Sequence, residues 1–245
     1  MKYIKLFDTT AEYTAYTADT ANFITPNVSV CKDAPTETHF HPYVDPYNGH
    51  DYVEIGGLKW ATMNIGASSV TDAGKYFQWG DISGYTAAQV GSDKVFNWAN
   101  YKYCDGTSSN MTKYNSTDGK TVLDSSDDAA QAAWGGSWRM PTKAEFQALG
   151  NAVNTAWTSN YNSTGVKGLV LTDKDDSSKV LFFPAAGNCY DGSVDSVGNN
   201  GGYWSSSLFD DFVAGACRLY FNGGDVYWDS DNGRYCGYPV RGVVG

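Results

Sequence analysis

The sequence predicts an α+β domain, rich in short strands and poor in helices, preceded by a small α/β module. Three observations carry this. A capped helical stretch opens at Thr142, short alternating segments recur between Gly, Asn and Asp turns, and a turn-rich, aperiodic run near residues 42–49 separates the two parts. With 245 residues and 42% hydrophobic content, the chain can bury a real core without a disulfide scaffold.

Residues 1–48 read as the small module. Residues 2–7 fit a strand, and Thr9-Thr10-Ala11-Glu12 fits a capping box opening a helix to about residue 19. Val28-Ser29-Val30 alternates like a strand, Lys32-Asp33-Ala34-Pro35 turns, and Thr38-His39-Phe40-His41 is its expected return partner. So small a unit rarely stabilises itself, so attachment to a neighbour, or homo-oligomerisation through residues 1–48, is expected. The three histidines are His39, His41 and His50. An HxH pair places both rings on one strand face, where a metal on an oligomer axis is conceivable; a solvated edge strand is the simpler expectation, and no metal is assigned.

Residues 49–245 form the second part. Tyr52-Val53-Glu54-Ile55 and Leu58-Lys59-Trp60-Ala61 flank Gly56-Gly57 as a hairpin. Residues 82–130 are a long irregular region, which implies either function or anchoring by aromatics such as Phe96, Trp98, Tyr101 and Tyr103. Thr142 with Glu145 makes a capping box for a helix over about 143–154, with Phe146, Leu149 and Val153 as its buried stripe. Residues 166–171 and 179–183 read as strands joined by the acidic turn Asp173-Lys174-Asp175-Asp176, which is expected to be a solvated turn rather than a calcium loop.

Charge and cysteine usage narrow the partners. A net charge of -10 disfavours nucleic-acid phosphates and anionic membranes. Five widely spaced cysteines without a CxxC pair indicate reduced thiols rather than a zinc site or a disulfide framework. No stretch is apolar enough for membrane insertion or for a signal peptide at the N-terminus, so synthesis in the cytoplasm is expected. The 18 Tyr and 8 Trp suit a recognition surface, because these side chains combine apolar area with a polar tip at low entropic cost.

The C-terminal segment has an uneven texture. Between residues 204 and 245 there is no Lys, Glu, Gln or Met, the residues whose codons need a purine in the third position. Most irregular positions carry residues reachable by changing the two adenines of an Asn codon; Trp228 is not reachable that way.

Leu58-Lys59-Trp60-Ala61-Thr62-Met63-Asn64, Trp138-Arg139-Met140-Pro141-Thr142, Phe183-Pro184-Ala185-Ala186-Gly187 and Tyr203-Trp204-Ser205-Ser206 occur in this order. Over residues 50–245 the chain resembles the branch of the C-type lectin fold that includes formylglycine-generating enzymes. Its end resembles the variable proteins of diversity-generating retroelements. The resemblance implies a C-type lectin-like fold with a frame at Tyr203, Trp204, Ser205, Ser206, Ala216, Leu219, Phe221, Gly224, Val226, Arg234, Gly237, Val240 and Arg241. Gly242 departs from that frame, where a larger residue is commoner. Between the fixed points, the diversified binding positions are expected at Phe209, Asp210, Asp211, Phe212, Cys217, Arg218, Tyr220, Asp225, Tyr227, Asp229, Ser230, Asp231, Cys236 and Tyr238.

The implied function is binding of a host-surface protein or glycan receptor, with no cofactor and no catalysis. Phe23-Ile24-Thr25-Pro26-Asn27-Val28-Ser29 resembles leader modules of bacteriophage structural proteins, which implies a virion location. Two alternatives use other residues. An oxidase of the formylglycine-generating type would need Cys217 and Cys236 as its pair, and a calcium-dependent lectin would use Asp225, Asp229, Asp231 and Asn232. Arg234 and Arg241 are either core residues or partners of carboxylates.

Overall fold

The computed structural model describes residues 47–245 and, before them, two short strands, β1 (Lys5–Phe7) and β2 (Ser29–Cys31). The chain divides into two units after Asp45. β1 and β2 pair in parallel, Lys5 opposite Ser29 and Phe7 opposite Cys31. A parallel pair needs a long connection, and the chain between them provides its length. The expected helix to residue 19, the return strand at 38–41 with His39 and His41, and most of the 23–29 leader motif lie outside the described residues.

The second unit is strand-rich with few helices. β3 (Tyr52–Ile55) and β4 (Leu58–Asn64) form the expected hairpin. Gly56 and Gly57 sit at φ 61° and 80°, a turn open to glycine at little cost. β13 (Arg241–Val244) adds to the other side of β4, giving the order β13-β4-β3.

Residues 82–130 contain no strand of their own and are held down by aromatic side chains. Phe96, Tyr101 and Tyr103 are buried, and Trp98 is half-buried against the cluster that holds Tyr101 and Tyr103. A short helix that the sequence reading missed, α1 (Ala129–Trp134), follows this region. Asp128 caps it by accepting from Ala130 and Gln131 at 2.9 and 3.0 Å. The same carboxylate accepts from the Met140 amide at 2.8 Å, which joins α1 to the Trp138–Thr142 motif.

α2 (Lys143–Ala152) opens with the expected capping box. Arg139 holds Glu145 from the other side, donating from Nη1 to Oε2 at 2.7 Å. Phe146 and Leu149 are buried, each contributing about 1.5–3 kcal/mol by removal from water. The helix stops at Ala152 rather than at 154. Val153 is buried, but as the first residue of β5 (Val153–Thr158), where it pairs with Asp173. β6 (Gly168–Asp173) and β7 (Val180–Pro184) complete an antiparallel sheet with β5. In their connecting turn Asp173 accepts from the amides of Asp175 and Asp176 at 2.7 and 3.0 Å, so that carboxylate closes the turn.

β8 (Asn188–Tyr190) and β9 (Ser193–Asp195) form a small hairpin. The largest sheet follows, β10 (Asn200–Leu208), β11 (Gly215–Asn222) and β12 (Val226–Gly233), all antiparallel in that order. β10 runs between the two main clusters of the core. Tyr203 packs with Trp60, Phe146, Phe183, Leu219 and Phe221, while Trp204 packs with Trp79, Tyr101, Met140, Tyr238 and Val240. Successive residues of a strand point to opposite faces, so one strand serves both clusters.

Candidate ligand-binding site

The fixed points of the C-terminal segment lie inside. Trp204, Ala216, Leu219, Phe221, Arg234, Gly237, Val240 and Arg241 are buried, Val226 is half-buried, and Gly224 is exposed in the β11–β12 turn. That turn is closed by Asn222, whose Oδ1 accepts from the amides of Gly224 and Asp225 at 2.8 and 2.9 Å. At Gly242 an added Cβ would lie 2.7 Å from the Trp134 ring, which accounts for the absence of a larger residue there.

The two arginines are core residues without carboxylate partners among the described residues. Arg241 donates to Asn64 Oδ1 and to the carbonyls of Ala61, Thr62 and Phe182, all at 2.9–3.0 Å. Arg234 donates to the carbonyls of Lys113 and Tyr114, and its guanidinium lies 4.9 Å from the Trp79 ring centroid. Carbonyl oxygens thus replace the carboxylates the sequence left open.

The positions expected to face a ligand divide three ways. Asp210, Asp211, Phe212, Asp225, Tyr227 and Asp229 are exposed, while Phe209, Arg218, Tyr220, Ser230 and Asp231 are half-buried. Cys217, Cys236 and Tyr238 are buried and do not belong to the exposed set. Cys217 points inward beside the β10–β11 pairing, its Sγ 3.3 Å from the Leu208 carbonyl, and Cys236 and Tyr238 enter the Trp204 cluster. Burial pushes both thiols up to about 11, so the thiolate that cysteine chemistry requires is disfavoured near neutral pH.

A β-bulge distributes the remaining positions over two faces. Arg218 pairs with Ser230 and Tyr220 with Tyr227, so Leu219 opposes both Trp228 and Asp229. The extra residue re-aims the strand. Trp228 packs with the cluster under α2, and Asp229 accepts from Gln147 of α2 at 3.1 Å. Asp210 accepts from Lys143, at the start of the same helix, at 2.7 Å. Arg218, Tyr220, Tyr227 and Ser230 lie on the opposite face, with Tyr220 and Tyr227 ring centroids 6.1 Å apart.

The four residues of the calcium alternative do not act together. Asn232 donates to the Tyr238 hydroxyl at 2.6 Å, while Asp229 is held by Gln147. Among the described residues no group of three or more His, Cys, Asp or Glu side chains is arranged to hold a metal ion.

Sequence reasoning missed part of the surface. A cavity of about 470 Å³ lies between the 109–121 loop and the start of the variable stretch, with Ser116, Thr117 and Thr121 on one side and Leu208, Phe209 and Asp210 on the other. The length of the irregular region was the available signal. Lys143 and Gln147 carried none, because they look like ordinary solvated helix positions. No helix among the described residues is long and apolar enough to cross a membrane.

Comparison with protein-family models, with curated proteins and with solved structures finds no match.

Proposed function

We propose that this chain is a binding protein with a C-type lectin-like fold, whose C-terminal segment is diversified by adenine-directed mutagenesis to recognise a receptor on a host cell. Its place would be a virion surface or tail, with residues 1–48 serving attachment or self-association. The receptor would be a host-surface protein or glycan, bound without a cofactor and without catalysis.

The observation that supports this reading is the sorting of one segment into two sets. Buried Trp204, Leu219, Phe221, Val240 and Arg241 alternate with exposed Asp210, Phe212, Asp225, Tyr227 and Asp229. Exposed side chains can change with little effect on stability, while the buried ones hold the backbone that presents them. Aromatic and small polar side chains on such a frame suit adaptable recognition. The burial of Cys217 and Cys236 speaks against the oxidase alternative, since neither thiol is offered to a substrate.

The flanking DNA tests the proposal. A near-copy of the last segment, with Asn codons where the exposed residues stand and a reverse transcriptase gene beside it, is the expected result. Absence of the repeat, or differences at bases other than adenine, would overturn it.

A further inference from the structure

On the face of β10–β11–β12 away from α2, one cation is held in a fixed position. The Arg218 guanidinium carbon lies 4.7 Å from the ring centroids of both Tyr220 and Tyr238. Nη1 donates to the Tyr238 hydroxyl, and that hydroxyl is itself held by Asn232 Nδ2 at 2.6 Å. The Tyr238 ring packs edge-on against Trp204, 4.8 Å between centroids, so its position derives from the core. Two aromatic faces and one hydrogen bond therefore fix the arginine before any ligand arrives.

The other edge of the guanidinium is unused. Nε is shielded and has no hydrogen-bond partner, and Nη2 donates to none of the described residues. No described carboxylate forms an ion pair with Arg218 within 4.0 Å. Of the acidic display residues, Asp210 and Asp229 bond instead to Lys143 and Gln147 of α2. With Nε shielded, the donor left for a ligand is Nη2, and a charge-assisted hydrogen bond from it to a carboxylate is shorter and stronger than a neutral one. A chain with a net charge of -10 thus leaves Nη2 of this arginine without an internal anion among the described residues.

We propose that Arg218, walled by Tyr220 and Tyr238, is a subsite for a carboxylate carried by the ligand. This rests on the reading that this sheet face binds a receptor. The carboxylate accepts from Nη2, and Tyr227 and Ser230 border the group that bears it. Preorganisation of the guanidinium reduces the ordering cost of binding. The source of the carboxylate is either an acidic sugar or a peptide.

The test follows the arginine Nε–H resonances of the full-length, ¹⁵N-labelled protein, with the Arg218 peak assigned by its loss in R218K. The probes are sodium glucuronate and sodium N-acetylglycinate, with glucose and N-acetylglycinamide as neutral counterparts and sodium chloride as the ionic control. The expected result is a saturable shift of the Arg218 peak with the carboxylates alone. Binding seen by calorimetry should weaken about tenfold in R218K and more in R218Q. Preference for glucuronate assigns an acidic sugar, and equal response assigns the carboxylate in general; either supports the subsite. An equal shift with chloride or with the neutral probes, no shift in the wild-type protein, or undiminished binding by R218Q overturns it. The wild-type titration decides the matter even where a variant folds poorly. A diversification repeat in the DNA together with a silent Arg218 peak refutes the subsite and leaves the binding function standing.

Discussion

Arg241 Nε donates to Asn64 Oδ1 at 2.9 Å across 177 residues of chain. The same guanidinium reaches the carbonyls of Ala61 and Thr62 in β4 and of Phe182 in β7. One buried cation therefore ties the last strand to two sheets, and its removal leaves several buried acceptors without donors. Arg241→Ala should cost about 3–5 kcal/mol, by analogy with breaking a buried charged network. Arg241→Lys should cost roughly 2–3 kcal/mol, because an ammonium cannot reproduce the planar fork. Urea denaturation checks this through a lower midpoint at unchanged slope; a midpoint equal to wild type in R241A would refute it.

The parts of this fold visible in the sequence are those where local chemistry and final structure agree. Gly56-Gly57 fixes its hairpin, and Thr142 with Glu145 fixes the start of α2, whatever the rest of the chain does. The end of α2 was not visible, because Val153 satisfies the helical stripe and is withdrawn from it only by pairing with Asp173. β5 was missed for the same reason: its ladder comes from a distant partner. In the C-terminal segment the fixed points were legible as apolar, glycine and arginine positions. Cys217, Cys236 and Tyr238 were not separable from the display set, because each is a residue type that also suits a surface. The bulge opposite Leu219, which sends Asp229 toward α2, depends on register and leaves no mark in composition.

Gly150 in α2 offers a case where two effects oppose. Alanine is the better helix former by about 1 kcal/mol. A Cβ at Gly150, however, would lie 2.5–2.7 Å from the Trp228 ring of β12. Overpacking of that kind costs about 1–3 kcal/mol, so Gly150→Ala should lower stability despite its helical gain. A raised melting temperature for G150A would show that Trp228 yields freely. The double variant G150A/W228L should recover most of the loss.

Buried phenols make the protein sensitive to alkali. Burial pushes Tyr203 and Tyr238 each up to about 12, with the nearby arginines Arg241 and Arg218 acting in the opposite direction. In the unfolded chain tyrosine loses its proton near pH 10. The unfolded state therefore releases protons first, and the stabilising contribution is complete below pH 10 and lost as the pH rises toward 12. Each such tyrosine lowers stability by about 1.4 kcal/mol per pH unit in that window. Tyrosinate absorbance followed together with circular dichroism should show these phenols ionising only as the fold is lost. Full ionisation near pH 10 with native dichroism would contradict their burial.

Residues that face a ligand and residues that face the core should differ in what their replacement costs. Asp225, Tyr227 and Asp229 are exposed, and among the described residues only Asp229 has a side-chain hydrogen bond, to Gln147. Alanine at any of the three should change stability by no more than about 0.5 kcal/mol. Tyr238 is buried against Trp204, receives hydrogen bonds from Arg218 and Asn232, and fills the space that Gly202 leaves, where a Cβ would lie 2.3 Å from its ring. Tyr238→Ala should therefore cost about 3–5 kcal/mol. Cys217 has no room for a large or charged side chain, so Cys217→Arg should cost at least as much through unpaired burial of charge. Thermal melts of the five variants give a direct ranking. If natural versions of this segment vary, Asp225, Tyr227 and Asp229 should tolerate wide replacement, while position 238 should keep an aromatic ring and position 217 a small side chain. Melting temperatures for Y238A and C217R within the range of the three surface variants would place both positions in the display set after all.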